Sequence, residues 1–561
     1  MKKKALSILL ATAMASAMLA GCGSGSAQQS APAQEAAPAA ETAEAAEEQA
    51  APAEEAPKAE LQTEATSEDV VSAHVDVVNL ASERDPTDMG PWAGNMGGAS
   101  GIIPLVYQSL QIRELNKDPE PCLAKSVEVV DEKTYNIELF DYIYDTEGNQ
   151  LTANDIKFGV EKAKEIGKDN TAKAVDSIEV TGDYTFTVHF GERAAMGDYE
   201  GFLTQLKFVT QAAYEAEGNN MSQHPIGTGP YIMSNYVSGS VIEFTKNPNY
   251  WQTDEQYIAR SSEAHADQIN YQIITEALQR AIAIENGSLD YGGVTLNDKE
   301  RLAAEGFGIV PIPDNLTYMM FANMDETSYL AGNKDLREAI FYALDNESIS
   351  ALFTSQDSVP VYDLSNSNYP DYYGDYYKSE DNIYKYDPDK AMELVASSGY
   401  DGRELTIITS SDEASTEMAQ IIVQFLNTIG VNAKIDSYQS QLMGDIAADP
   451  AKWDLYILQY ASTDYSVNVW EKVLNRAKYK WDGTINFVFD DELQNKLAEV
   501  RTPAGHTEEN VKALHDYIAD QAWAIGLVQG IPYYACSSKF DAENVVFSEQ
   551  RVIRPNASIY K

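Results

Sequence analysis

The chain has 561 residues, of which 44% are apolar and 10% aromatic, so it is long enough for two or three domains with substantial cores. Its formal net charge is −47 at pH 7. A surface of that charge repels nucleic acids and anionic lipid headgroups, which makes both poor partners.

The first 21 residues have the three parts of a bacterial export signal. Lys2 to Lys4 form the charged region, and Ala5 to about Leu19 form an apolar segment too short to span a bilayer. The segment ends in Leu-Ala-Gly-Cys, which resembles the lipobox of bacterial lipoproteins, whose cysteine is acylated. We therefore predict a lipoprotein signal peptide at 1–21 and lipidation of Cys22. The alternative is an ordinary signal peptide beside an accidental cysteine.

Residues 22–67 are predicted to form a disordered tether. After Cys22 they are mostly Ala, Glu, Pro, Gln and Ser, with nine Glu against a single lysine, Lys58. Such a composition cannot bury enough apolar surface to fold. A folded body held near a membrane by this tether, without entering the membrane, suits a receptor or a surface hydrolase.

The folded body begins near Val70 with mixed strand and helix patterns. Ser72–Leu80 and Thr185–Phe190 alternate between apolar and polar residues as strands do. The Gly-rich loop 91–98 carries Trp92. Thr152 is the predicted N-cap of a helix whose apolar stripe includes Ile156 and Val160. We read the segment from Val106 to Gln223 as a supporting subdomain, because nothing in it resembles a site.

The segment 224–251 is predicted to be a β-hairpin held at both ends. A Gly-Thr-Gly-Pro turn at 227–230 precedes β-favouring residues from Tyr231 to Val237. Ser-Gly-Ser forms the hairpin turn, and the chain returns through 241–245. Trp251 then supplies a large aromatic side chain for burial.

The second half of the chain alternates strands and helices, which indicates an α/β fold. The run 317–324 is β-type, and an amphipathic helix starts at Lys334. A strand at 405–409, a helix at 418–429 and a strand at 431–435 are joined by short connections. This order predicts two parallel strands linked by a helical crossover. A buried strand is predicted at 453–460.

The sequence contains no recognisable enzyme motif. There is no GxSxG, HExxH, Walker phosphate loop or GxGxxG, and the six histidines lack metal-ligand spacing. Cys122 and Cys536 could pair in an oxidising compartment or remain two buried thiols. We predict no catalytic residue, no metal site and no cofactor.

Several motifs together resemble the extracellular solute-binding proteins of peptide-type ABC importers. The hairpin segment 224–251 is the most specific, because it matches that family's G-T-G-P-Y turn followed by N-P-x-Y-W. The other matching segments, in family order, are Val106–Leu110, Pro121–Ser126, Leu151–Ile156, Asp335–Ile340 and Tyr386–Tyr400.

This resemblance implies an α/β, periplasmic-binding-protein-like fold with two lobes joined by a hinge around a ligand cleft, plus a smaller extra domain. The implied first lobe combines residues 68–111, 226–325 and 529–561. The extra domain is expected at 112–225 and the second lobe at 326–528.

The resemblance also implies a ligand site. In the family, a loop after a strand of the second lobe supplies an Asp that pairs with the α-ammonium of the ligand. Asp464 occupies the corresponding position here, and the alternative is that it caps a loop in water. The other predicted ligand contacts are Tyr460, Tyr465, Trp92, Trp470, Asn95 and Asn323.

The implied function is a monomeric, lipid-anchored receptor that captures a small peptide and delivers it to ABC permease subunits. It is expected outside the cytoplasm, attached to the cell membrane only by its lipid, on a Gram-positive surface or in a Gram-negative periplasm. A receptor of the same fold for an oligosaccharide, a nickel chelate or haem is an alternative. An anchored surface hydrolase is a third possibility.

Overall fold

The computed structural model describes residues 74–558, except 87, 94–100, 193, 314–315, 363, 365, 373–383, 461–464, 475–487 and 489. Two large sheets and one smaller sheet organise this part of the chain. In the described ranges, no helix combines the length and apolar character needed to cross a bilayer.

The first large sheet has seven strands drawn from three separated parts of the chain. Their order is β12 (Gly308–Pro311), β19 (Tyr533–Cys536), β11 (Tyr291–Val294), β1 (Val75–Ser82), β10 (Ala266–Ile273), β9 (Val241–Lys246) and β8 (Tyr231–Val237). The central strand β1 runs parallel to β10 and β11, whereas the outer strands pair antiparallel.

The predicted hairpin forms the β8–β9 edge of this sheet. Gly239 in its turn has φ +71°, a conformation that glycine adopts without strain. Asp85 holds this turn, because its carboxylate accepts hydrogen bonds from Ser238 Oγ (2.6 Å), Gly239 N (2.7 Å) and Tyr236 Oη (2.7 Å). At the other end, Trp251 is buried and its Nε1 donates to Gln108 Oε1 (2.9 Å).

The smaller sheet lies between the first segment of the large sheet and the hairpin. Its four antiparallel strands are ordered β4 (Ala124–Asp131), β5 (Thr134–Leu139), β7 (Thr185–Phe190) and β6 (Val175–Val180), and a short pair precedes them, β2 (Gln111–Ile112) with β3 (Glu120–Pro121). One continuous apolar core joins this sheet to the seven-stranded sheet. The extra domain is therefore packed firmly on the first lobe.

Six helices accompany these sheets. They are α1 (Ala153–Ile166), α2 (Asn170–Ala174), α3 (Met196–Thr204), α4 (Gln211–Glu217), α5 (Ala277–Glu285) and α6 (Leu296–Ala304). Thr152 is the N-cap of α1, as predicted, and its backbone N–H donates to Asp155 Oδ2 (2.7 Å).

The second large sheet has six strands. Their order is β14 (Asp357–Pro360), β18 (Ala524–Ile531), β13 (Thr317–Ala322), β17 (Leu455–Tyr460), β15 (Leu405–Ser410) and β16 (Ala433–Tyr438). The predicted crossover is confirmed, because β15 and β16 pair in parallel with a helix between them. Apolar clusters cover both faces of the sheet.

Eight helices lie in the described part of this second lobe. They are α7 (Lys334–Tyr342), α8 (Asn346–Leu352), α9 (Pro388–Ser397), α10 (Glu413–Thr428), α11 (Met443–Ala447), α12 (Ser466–Leu474), α13 (Asp491–Val500) and α14 (Glu508–Asp520). Asp387 caps α9, and Pro388 is its first residue, where a missing N–H costs nothing.

The boundary between the lobes differs from the one expected at residue 325. Strand β13 lies at the centre of the second sheet, between β17 and β18, rather than in the first lobe. All six of its residues are buried because both of its faces are covered. The chain therefore enters the second lobe before Thr317, and it leaves after β18, which ends at Ile531.

Cys122 and Cys536 are both buried, and no disulfide joins them. Burial raises the pKa of the Cys122 thiol to about 12. This thiol is therefore neutral at physiological pH.

Candidate functional site

Two chain segments that run side by side connect the lobes. One leads from β12 to β13 and the other from β18 to β19. Ile312 N donates to Pro532 O (2.9 Å), and Gly530 N donates to Leu316 O (3.3 Å), so the two crossings are hydrogen-bonded to each other. A paired connection of this kind can bend as one unit, which is what a hinge between two lobes requires.

The lobes also touch through polar side chains away from these crossings. Tyr465 lies between β17 and α12 of the second lobe, and its hydroxyl donates to Glu200 Oε1 in α3 (2.9 Å). Glu200 Oε2 accepts from Arg113 Nη1 (2.9 Å), and Arg113 Nε donates to Glu549 Oε2 (2.7 Å). This chain of three contacts connects the second lobe to the extra domain, through Glu200 and Arg113, and to the C-terminal part of the first lobe, through Glu549.

The electrostatics of this chain favour the observed donors. Burial would lower the pKa of Arg113, but the carboxylates of Glu549 and Glu200 raise it, so the guanidinium stays charged. Burial and the neighbouring Glu200 carboxylate raise the pKa of Tyr465. The phenol therefore remains protonated and donates to Glu200.

The ring of Tyr465 is held in place by His506, which in turn lies beside Asp371. It contacts the ring of His506 edge-on, with centroids 5.2 Å apart. His506 Nε2 lies 3.4 Å from Asp371 Oδ2, and Asp371 Oδ1 accepts from Ser466 N (2.8 Å) at the start of α12. Asp371 is thus a buried anion at a helix N-terminus, where the helix dipole stabilises it.

Two further contacts cross between the lobes. Arg551 Nη2 donates to Asn368 O (2.8 Å), and Ala504 N donates to Glu132 Oε1 (3.1 Å). With Tyr465 and Glu200, they make the lobes meet at several separated points.

Three of the predicted functional residues lie outside the described ranges. They are Asp464, Asn95 and Cys22. Tyr465, the residue next to Asp464, is described and lies at the contact between the lobes. Tyr460 ends β17, where it pairs with Thr317, and burial raises its pKa.

Three other predicted contacts are buried inside the lobes. Trp92 and Trp470 are each 1% exposed, and Asn323 is 0% exposed. Trp92 Nε1 donates to Lys207 O (2.9 Å), and the Trp470 ring packs against His515 with centroids 4.6 Å apart. These side chains belong to the core and present no face to the cleft.

Asn323 has a clear structural role at the end of β13. Its Nδ2 donates to Pro450 O (2.8 Å) and Trp453 O (2.7 Å), and its backbone N–H donates to Asp454 O (2.9 Å). These bonds secure the turn that precedes β17. The side chain is fully occupied by this turn.

Among the described residues, one group of side chains has metal-ligand proximity. His74 Nε2 lies 3.6 Å from Asp76 Oδ1 and 3.1 Å from Asp267 Oδ2. All three residues are exposed, and they lie where the neighbouring strands β1 and β10 begin. Exposed ion pairs of this type are common at protein surfaces.

Sequence analysis alone missed Glu200, Arg113, Asp371 and His506. Glu200 and Tyr465 are 265 positions apart, and Arg113 and Glu549 are 436 apart. No local motif marks any of the four. Their relationship exists only because the sheets bring distant segments together.

Comparison with known proteins supports the architecture. The family described as bacterial extracellular solute-binding proteins, family 5, matches residues 118–527. The glutathione-binding protein GsiB of Salmonella typhimurium is 23% identical over 363 residues, which cover 62% of this chain and 67% of GsiB.

Two solved structures share the fold. The ABC transporter substrate-binding protein CtaP of Listeria monocytogenes superposes with a TM-score of 0.74 at 20% identity, covering 87% of this chain and 99% of CtaP. NikA of Brucella suis, in complex with Fe(III)-EDTA, gives 0.70 at 18% identity, covering 86% and 99%.

Proteins of this family are binding components of transport systems outside the cytoplasm, where they bind small ligands and work with permease subunits, and they are not enzymes. The two-lobed α/β fold and the paired crossings between the lobes agree with the family match over residues 118–527. The chain belongs to family 5 of the bacterial extracellular solute-binding proteins.

Proposed function

We propose that this chain captures short peptides by closing its two lobes over them and delivers them to an ABC permease. The observation that carries the proposal is the contact between Tyr465 and Glu200, which joins the lobes directly beside position 464. A ligand held at this point would be enclosed when the contact forms. Closure would thus depend on the residue next to the ligand anchor.

The ligand class rests on two arguments. GsiB, a relative of this chain, binds glutathione, which is a tripeptide with an α-ammonium group. Asp464 provides a carboxylate that can pair with such an ammonium. A carboxylate that is withdrawn from water without a cationic partner is strongly destabilised. Pairing with the ammonium would therefore select ligands that have a free amino terminus.

The proposal gives each predicted residue a role. Asp464 binds the α-ammonium, and Tyr465 and Tyr460 lie beside the ligand. The backbone at Asn95 pairs with an extended peptide, which gives affinity without selecting side chains. Trp92, Trp470 and Asn323 support the site from within the lobes.

Native mass spectrometry of protein purified without refolding, followed by acid release, tests the proposal. We expect a set of short peptides from the wild-type protein and their loss in Asp464→Ala. Asp389→Ala is the matched control, because Asp389 is exposed in the outer helix α9 of the same lobe. An empty protein that ignores added peptides would overturn the proposal, and peptide turnover would indicate a hydrolase.

A metal chelate is the second candidate ligand, because NikA has the same fold and was solved with Fe(III)-EDTA. Elemental analysis of the same purified protein separates the two candidates. Stoichiometric nickel or iron with a small organic ligand would favour the chelate. Haem or a saccharide in the released fraction would identify that molecule, and not a peptide, as the ligand.

We also propose that Cys22 carries the lipid that attaches the protein to the cell membrane. The support is the charged, apolar and Leu-Ala-Gly-Cys order of residues 1–22. More than one acyl chain is expected, since a single chain gives only marginal membrane binding. Cys22→Ala should release the protein into the soluble fraction with no change in peptide binding, and retention of membrane attachment would contradict the assignment.

A further inference from the structure

A small cavity lies where the extra domain meets the first lobe, away from the contact between the lobes. The residues that line it come from five separated parts of the chain. They are Pro104, Tyr107, Gln108, Ser109, Ile112, Cys122, Lys207, Pro230, Ser261, Ser262 and Arg554. The cavity has room for about one water-sized species.

Both charged side chains in this lining are cations. Lys207 Nζ has one long hydrogen bond, to Ser109 Oγ (3.4 Å). The Nε atom of Arg554 is buried, and no atom of the described residues accepts its hydrogen. In the same described part of the chain, neither cation has a carboxylate oxygen at ion-pair distance.

The nearest carboxylates are engaged elsewhere. Glu549 accepts from Arg113 Nε (2.7 Å), and Glu114 lies 3.7 Å from Arg260 Nη1. Both carboxylates act on Arg554 only at longer range. The cavity therefore has two positive charges in its wall and no negative charge.

The remaining titratable groups around the cavity are neutral. Burial raises the pKa of Cys122 to about 12 and also raises the pKa of Tyr250, whose hydroxyl accepts from Gln108 Nε2 (2.7 Å). Neither group can supply a counter-charge at neutral pH. Both cationic side chains are partly exposed, but the buried Arg554 Nε has no acceptor among the described residues, so a group inside the cavity can accept its hydrogen.

We propose that this cavity binds a chloride ion between the Lys207 ammonium and the Arg554 guanidinium. The lining matches chloride, because it offers charged donors, serine hydroxyls and apolar groups such as Pro104 and Ile112. A tetrahedral oxyanion such as phosphate is too large for one water-sized space. Chloride is small enough, and it carries the single negative charge that the wall lacks.

Chloride at this position would act as a structural ion. The cavity joins the extra domain, through Cys122 and Lys207, to the hairpin entry at Pro230 and to the C-terminal Arg554. Burial, with the nearby Arg554 charge, lowers the pKa of Lys207 to about 8. An anion between the two cations would offset their repulsion and keep Lys207 protonated.

Bromide, which scatters anomalously, tests the site directly. In crystals of the wild-type protein grown in chloride and transferred to sodium bromide, we expect an anomalous peak within hydrogen-bond distance of Lys207 Nζ and Arg554. The peak should be missing in Lys207→Gln crystals treated in the same way. A cavity that contains only water in bromide-soaked wild-type crystals would overturn the proposal.

A solution experiment tests the same site without crystals. Replacing sodium gluconate by sodium chloride at constant ionic strength should raise the midpoint of thermal unfolding by about 1–2 °C. Phosphate should give no such increase. Lys207→Gln and Arg554→Gln should lose the chloride effect, whereas the control Arg260→Gln should keep it, because Arg260 is exposed and outside the cavity.

Two results of the solution experiment would contradict the proposal. One is a chloride effect that persists in Lys207→Gln and Arg554→Gln. The other is an equal response of all proteins to chloride and phosphate, which would indicate general screening. If Arg554→Gln fails to fold, Lys207→Gln and the bromide crystals decide the question.

Discussion

Tyr465 donates a 2.9 Å hydrogen bond from its hydroxyl to Glu200 Oε1, and this bond joins the second lobe to helix α3 of the extra domain. On the first-lobe side, Glu200 is fixed by Arg113. On the second-lobe side, the Tyr465 ring packs on His506. Both partners are thus positioned by their own lobe before the lobes meet, which favours formation of the bond on closure.

Tyr465→Phe should weaken closure without unfolding either lobe. A hydrogen bond to a charged acceptor is lost, and we expect about 1–2 kcal/mol less stabilisation of the closed state. Because the ligand leaves from the open state, its dissociation should become about 5- to 30-fold faster. Stopped-flow fluorescence with the peptide identified by native mass spectrometry measures this rate.

Tyr386→Phe is the matched control for that variant. Tyr386 is an exposed tyrosine of the second lobe whose ring lies near Phe425. It should leave the dissociation rate unchanged. Equal rates in Tyr465→Phe and the wild-type protein would show that this contact plays no part in ligand retention.

Gly229→Ala should destabilise the fold at the entry to the hairpin. A Cβ at Gly229 would lie 2.6 Å from Val106 O, and the Gly229 N–H donates to the same oxygen (2.8 Å). The atoms that the Cβ would meet belong to the backbone, which cannot move aside as a flexible side chain can. We therefore expect a loss of about 2–4 kcal/mol in the free energy of unfolding. Urea denaturation measures this loss.

Gly332→Ala provides the comparison, because no heavy atom lies within 4 Å of its Cβ position. Its free energy of unfolding should stay within about 0.5 kcal/mol of the wild-type value. A similar loss in both glycine variants would contradict the assignment of the effect to the close approach between Gly229 and Val106.

Asp85→Asn should weaken the hairpin turn in a pH-dependent way. Burial would raise the pKa of Asp85, but hydrogen bonds from Ser238, Tyr236 and the Gly239 N–H lower it overall. The charged form therefore stabilises the fold above the unfolded pKa of about 3.9, and this contribution is lost as pH falls through the folded pKa. We expect a deficit of about 1–2 kcal/mol at pH 7 that shrinks in acid, measured by urea denaturation.

Asp118→Asn is the control for this experiment, since Asp118 is exposed. Its stability should follow that of the wild-type protein at each pH. A deficit in Asp85→Asn that stays constant down to pH 3 would contradict the assigned role of the carboxylate.

His515 should make the protein less stable in mild acid. It is buried against Trp470, and burial lowers its pKa to about 3. His515 takes up a proton near pH 6.5 in the unfolded chain but stays neutral at that pH in the folded chain. The free energy of unfolding therefore falls as pH falls below about 6.5. We expect a loss of about 2 kcal/mol by pH 5 from this residue, and His515→Leu should remove that part of the slope.

His506 should have the opposite effect on how stability changes with pH. Burial would lower its pKa, but the Asp371 carboxylate raises it overall. Its contribution is therefore fully present below the unfolded pKa and is lost as pH rises through the folded pKa. Urea denaturation of His506→Gln and His515→Leu across pH 5–8 compares the two, and parallel pH profiles would contradict both assignments.

The elements that could be predicted from the sequence are those specified by local patterns. The hairpin at 231–246 follows from its turn residues and β-favouring runs, and the helix start at Thr152 follows from its capping pattern. The crossover from β15 to β16 follows from strand–helix–strand order, because such a connection requires parallel strands. Neighbouring residues carry all the information in these cases.

Burial and sheet membership could not be predicted in the same way. Trp92 was expected to face the ligand, yet its ring and Nε1 are used by Phe158, Tyr214 and Lys207 in the core. Strand β13 was expected in the first lobe, yet it pairs between β17 and β18. An aromatic side chain can be buried in a core or can line a cleft, and an apolar strand can pair in either sheet. The local sequence does not distinguish these alternatives.

The sequence by itself determined the family and the α/β class, because these depend on short motifs and their order, and the ammonium anchor at Asp464 stays a prediction. Only the tertiary structure decided that Tyr465 meets Glu200, that Asp371 holds the start of α12, and that Lys207 and Arg554 share one cavity. Each of these relationships joins residues from distant segments. Their energies depend on distance and burial, which exist only once the chain has folded.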